Sequence, residues 1–237
     1  MDAESLRMIL ERCHLSRRHN DRMKSLMPTG EAPSLRATFA RCAIDLALEH
    51  HSALVRLVEA GEYGTGGALL RPVLEASTAG YWFVYVATCS EIQALPTTSV
   101  DSPEADIPGL GDMLKSLIPT FPDIQKMSDG LKTGGTAKWL HKYTHGGTPQ
   151  LTRRVNGGWT ESEVILTLIR GDMFSNLVAC LETVIAPNAP LAKYGFSYRD
   201  ELAFELQTTF GTDPIPQQPH SLPVAPLLEE GCGSSFA

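Results

Sequence analysis

Residues 68–90 read Ala-Leu-Leu-Arg-Pro-Val-Leu-Glu-Ala-Ser-Thr-Ala-Gly-Tyr-Trp-Phe-Val-Tyr-Val-Ala-Thr-Cys-Ser and carry two charges, Arg71 and Glu75. On a helical wheel these two share a stripe with Thr78, Trp82 and Tyr85, while Leu69, Leu70, Val73, Leu74, Tyr81, Phe83 and Val84 cover the remaining surface. A helix that is apolar on every side is normally a buried one. Pro72 falls in its first turn, where the missing N–H does least harm. The uninterrupted run from Ala76 to Ser90 is 15 residues, short of the ~20 that cross a bilayer. The stretch therefore predicts the core helix of an all-α protein.

The flanks agree. From Leu35 to Glu59, Phe39, Ala43, Leu46, His50, Ala53 and Leu57 recur at helical steps, with Arg41, Asp45, Glu49 and Arg56 outside them, and Gly61 stops the helix. Residues 3–26 predict an amphipathic helix in which Leu6, Ile9, Leu10, Cys13, Met23 and Leu26 form the apolar set and Arg7, Arg12, Arg17, Arg18, Arg22 and Lys24 a basic side. Residues 93–109 predict an acidic loop, with short helices near 111–118 and 124–129, and 138–145 a helix closed by Gly146-Gly147. Thr160 and Glu163 form a capping-box pattern ahead of a long helix over 161–185, and a short helix is expected at 199–207. After Gly211, five prolines and small polar residues predict disorder. The domain reading is an N-terminal amphipathic helix (1–28), a bundle (35–208) and a flexible Pro-rich tail (209–237).

Bulk properties narrow the function classes. With 43% apolar and 20% charged residues the 237-residue chain is an ordinary globular protein of one core. Five cysteines without a CxxC pair argue against a zinc ribbon or a disulfide scaffold. The charged N-terminal segment lacks an apolar signal core, so a cytoplasmic location is expected. A net charge of −7 offers phosphate backbones no general attraction, and a nucleic-acid contact would need a local basic patch.

Arg71 and Glu75, four apart in an apolar helix, are expected to meet inside the bundle, either as a clamp on helix register or as part of a site. His141 and His145 share a helix face, but Lys142 stands where an HExxH zinc site has its glutamate, and no third ligand is evident, so no metal is expected. His50 falls on the apolar stripe of its helix, with His51 beside it. Asp172 and Asn176 lie one turn apart and either point at one polar centre or edge the solvent. No cofactor motif is present.

Three features together, Leu69-Leu70-Arg71-Pro72-Val73-Leu74-Glu75, the helix end Lys142-Tyr143-Thr144-His145-Gly146-Gly147, and the closing amphipathic helix, resemble bacterial helical families related to the HEPN superfamily and to abortive-infection proteins. The resemblance covers about residues 36–205. It implies a HEPN-like bundle of four to five main helices, here with an extra N-terminal helix and a disordered tail, homodimerisation, and in active members a metal-independent RNase of toxin–antitoxin or anti-phage systems. Such RNases carry an Arg and a His with four to six residues between them; Arg12 and His19 have that spacing but lie outside the covered stretch.

Two functions follow as expectations. In the first, His145 acts as general base or acid on an RNA 2′-hydroxyl, Arg71 stabilises phosphate charge and Glu75 orients it. Lys142, Arg153 and Arg154 supply the basic patch, with His141, Asp172 and Asn176 as further substrate contacts. In the second, the chain is a non-catalytic interaction module, an antitoxin, scaffold or sensor partner, whose Arg–Glu–His network is structural. A pocket for a small anion, lined by Arg71 and the histidines, is a third reading.

Overall fold

The computed structural model describes residues 1–95, 106–125, 129, 140, 142–145 and 147–211. All regular structure among them is helical, as expected; the helices with both ends described are α1 (Ala3–Leu26), α2 (Leu35–Glu59), α3 (Tyr63–Ala68), α4 (Leu70–Tyr85), α5 (Cys89–Ala94), α6 (Leu110–Leu117), α7 (Thr148–Val155), α8 (Glu161–Ile185) and α9 (Ala189–Phe210), and residues 124–125, 129, 140 and 142–144 are helical as well. Local signals set most boundaries. Asp2 and Ser34 cap α1 and α2, and the Thr160–Glu163 capping box opens α8 with both of its reciprocal bonds present. Gly61, at φ 82°, turns the chain after α2 in a conformation that side chains disfavour.

Helix α8 is the axis of the bundle and packs against α1, α2, α4 and α9. It is long and apolar enough to cross a membrane, but 67% of its apolar window is buried inside the bundle; apolar residues surround it because neighbours do. Helices α2 and α4 approach closely where Gly80 meets Ala40 and Ala43. A Cβ on Gly80 would stand 2.6 Å from Leu181 Cδ2 of α8.

Three expectations are corrected. The apolar set of α1 divides: Ile9, Cys13 and Met23 are buried against the bundle, whereas Leu6 and Leu10, assigned to the same set, face solvent. His51, not His50, is the enclosed histidine of α2, because the inward stripe runs through Ala37, Ala40, Ala47, His51, Leu54 and Val58 rather than through Leu46. The last helix is 22 residues long, not the short segment 199–207. Its inward face, Leu191, Gly195, Leu202 and Leu206, is too sparsely apolar to announce the full length. The predicted tail beyond 211 and the expected loop and helix ends at 96–105 and 126–128 lie outside the described residues.

The apolar interior falls into two clusters. One holds Ala40, Ile44, Leu48, Trp82, Val84, Val178 and Leu181. The other holds Ile9, Leu54, Leu70, Val164, Leu168, Ile169 and Leu202. On α2 the change from the first to the second occurs between Leu48 and Leu54, on α8 between Val178 and Ile169, and on α1 between Met23 and Cys13. The residues at that seam are polar on every one of these helices.

Candidate functional site

The seam is centred on Asp172 of α8, whose side chain is fully buried. Its Oδ1 accepts from His51 Nε2 at 2.7 Å. Its Oδ2 accepts from Arg12 Nη2 at 2.6 Å, Ser16 Oγ at 3.0 Å and Tyr198 OH at 2.8 Å. Arg12 Nη1 also donates to Ser16 Oγ at 2.9 Å, and Arg12 Nε lies 2.9 Å from Glu205 Oε1. One carboxylate thus joins α1, α2, α8 and α9. Burying it without these donors would be prohibitively costly.

The two buried histidines are spoken for. Asn20 Nδ2 donates to the Leu48 carbonyl at 3.1 Å and faces His51 Nδ1 at 3.2 Å, so His51 accepts on Nδ1 and donates to Asp172 from Nε2. His19 lies flat on the Tyr198 ring, centroids 3.9 Å apart, with Nδ1 2.8 Å from Tyr194 OH and Nε2 3.4 Å from Ser175 Oγ. Ser175 spends its own proton on the Asp172 carbonyl, which leaves its oxygen to accept from His19 Nε2. His51 is 0% and His19 1% exposed, so neither ring edge meets solvent.

Charge follows environment. Burial alone would push the Asp172 carboxyl up, but the His51 hydrogen bond and the Arg12 guanidinium outweigh it and hold the group well below the usual carboxylate range. Burial pushes the His19 imidazole down to about 3, with the Asp172 carboxylate recovering only part of the shift. Burial, then Asp172, raises Tyr194 to about 12 and Tyr198 further.

A pH dependence follows from His19. Unfolded, the ring titrates near 6.5; folded, it stays neutral down to about 3. As pH falls through that window the unfolded state binds a proton that the folded state refuses, so stability falls. Asp172, depressed from 3.8, adds the same sign at lower pH, while Glu182 and Glu205, raised by burial, act in the opposite direction. The difference between wild type and His19→Gln isolates the histidine. Between about pH 6.5 and pH 4, thermal unfolding of the wild type should lose up to about 1.4 kcal/mol per pH unit more than that of the variant. Parallel curves would remove His19 from the account.

Of the residues assigned a site role in the sequence, only Asp172 and Asn176 fall at this centre, which also takes in Arg12 and His19, noted there for their spacing alone, and His51, noted only as the neighbour of His50. Asn176 is buried one turn beyond Asp172 and donates from Nδ2 to the Gly195 carbonyl at 2.9 Å, holding α9. Arg71 Nε does donate to Glu75 Oε1 at 2.8 Å, but the pair is 23% and 36% exposed rather than enclosed, because the first turns of α4 are buried only on the side of Leu70, Val73 and Leu74 and the helix is buried on every side only from Ala76 onward. His145 is exposed, and it follows Thr144, whose Oγ1 donates to the Ala68 carbonyl at 3.1 Å one turn before Arg71. Lys142 and Arg153 line an open pocket of about 530 Å³. Arg153 is ion-paired with Glu163 and lies over the Trp159 ring at 4.6 Å. Arg154 is exposed beside Gln150. His141 lies outside the described residues. Sequence reasoning missed Ser16, Asn20, His51, Ser175, Tyr194 and Tyr198 as members of one centre. The available signal was the Ile9-Arg12-Ser16-His19-Met23 spacing, a helical stripe that is polar in its middle.

A helical bundle closed around a carboxylate with four donors is the class that fold and centre define. The chain belongs to a family of unknown function (DUF6988), which matches residues 44–203 and so takes in His51, Arg71, Glu75, His145 and Asp172 while leaving Arg12 and His19 outside. No curated protein and no solved structure matches the chain.

Proposed function

We propose that the chain is a non-catalytic helical interaction module, acting as a scaffold, sensor partner or antitoxin, in which the Arg12–His51–Asp172 centre fixes α1 and α9 on the bundle. One observation carries this reading: both oxygens of Asp172 and all four ring nitrogens of His19 and His51 are engaged by protein groups, and Arg12, the most exposed of the four residues, is only 4% exposed. A general base must reach the proton it removes, and here no imidazole edge is offered.

A second reading, a metal-independent RNase or RNA-binding effector of toxin–antitoxin or anti-phage defence, is favoured by one feature beyond the HEPN and abortive-infection resemblance. Arg18, Arg22, Tyr194 and Tyr198 line one cleft of about 690 Å³ between α1 and α9, with Arg12 and His19 buried at its base. It ranks second because Asp21, Glu201 and Glu205 line the same cleft and oppose its three arginines. The Arg–His spacing also recurs at Arg7 and His14, on the solvent face of α1.

The purified full chain, incubated with single-stranded and hairpin RNA in a chelator, tests the two. Intact RNA, and equal growth on expression of wild type, His19→Ala and His145→Ala, are expected. Cleavage or toxicity lost in either variant while its circular dichroism is unchanged would overturn the interaction-module reading in favour of the nuclease.

A further inference from the structure

The solvent face of the first half of α1 carries a charged row flanked on both sides by exposed apolar residues. Leu6, Met8, Leu10 and Leu15 are between 39% and 45% exposed, and at 100° per residue they form two edges, Leu6 with Leu10 and Met8 with Leu15. Glu4, Arg7, Glu11 and His14 run between the edges, all exposed. Arg7 is ion-paired to Glu4 and to Glu11, so the row is already ordered within one helix.

This row reads as its own complement when reversed. If an antiparallel copy of α1 is laid on the face with Ile9 at the crossing point, Arg7 stands opposite Glu11 of the second copy and Glu4 opposite its His14. Two-fold symmetry makes each pairing twice. A parallel copy sets Arg7 on Arg7 and Glu11 on Glu11, which repel. The same two-fold axis brings each apolar edge onto its own copy: Leu10 falls between Leu6 and Leu10 of the second molecule, and Met8 falls beside Met8. We infer that the outer face of α1 is a homodimer interface, formed antiparallel with a second copy of this chain. The inference rests on the interaction-module reading and gives it a surface and a partner.

Light scattering on the full chain after gel filtration, at tens of micromolar, tests it. The wild type should show twice the chain mass of 25.8 kDa, and Leu10→Glu should show that mass once, with unchanged circular dichroism and thermal midpoint. R7E and E11R should each weaken association about tenfold or more, and the double variant R7E/E11R, which restores opposite charges across the axis, should recover it. A monomeric wild type overturns the inference. So does a dimer that survives Leu10→Glu, or a double variant no better than its parents. Failure here leaves the RNA assay untouched, and RNA cleavage would sink the module reading whatever the mass.

Discussion

Asp172→Ala is expected to lower the stability of the fold by about 3–5 kcal/mol, as breaking one side of a buried ion pair does. The substitution strips the buried carboxylate from a guanidinium that is 4% exposed, leaving it only the more exposed Glu205 as ion-pair partner, and at once orphans His51 Nε2, Ser16 Oγ and Tyr198 OH, which donate to the same carboxylate. Each buried donor left without an acceptor adds its own desolvation cost. Against a typical total of about 5–15 kcal/mol, the loss should appear as a large fall in urea midpoint or as a chain that is unfolded at 37 °C. Asp172→Asn, which keeps the shape but places an NH2 against donors, should lie between the two. Wild-type stability in Asp172→Ala would remove the centre's structural role.

Arg36→Ala should come next, at about 3 kcal/mol from lost hydrogen bonds and the cavity together. Arg36 is 1% exposed and among the largest fully buried side chains. Its Nη1 donates to the carbonyls of Phe83 and, at 2.6 Å, of Ala87. Helix α4 ends at Tyr85, where the last carbonyls have no partner within the helix, and an arginine from the first turn of α2 serves as their cap. Arg36→Met separates the two contributions: it refills most of the volume without a donor and should recover only part of the loss in a urea titration. Full recovery would mean that Arg36 acts by packing alone.

Much of the fold was legible because several helices carry independent signals that agree. The apolar sweep of residues 68–90, the Thr160–Glu163 box and the Gly61 stop each mark an element that the structure contains. Misreadings arose where burial is polar. On α1 the sequence offers Leu6 and Leu10 as an apolar pair, yet the inward face is Ile9, Arg12, Ser16, His19 and Asn20, since polar side chains that satisfy one another can be buried where leucines on the next stripe are not. On α2 the alanines fit two stripes about 100° apart, and the wrong one selects His50. Asp172 and Asn176 could be placed on one face but not matched to their partners, because Asp172 reaches Arg12 across 160 residues of chain and no spacing rule connects them. The Arg71–Glu75 contact was readable from an i,i+4 step; its partial exposure was not, since that depends on what stops covering α4.

The claim on which the rest depends is that Arg12 and Asp172 act as one buried unit binding α1 to the bundle. A double-mutant cycle in urea with Arg12→Met, Asp172→Asn and the double variant measures it directly. A coupling energy of about 1.5 kcal/mol or more is predicted, with the double variant much less destabilised than the sum of the singles. Additive losses, within about 0.5 kcal/mol, would contradict it.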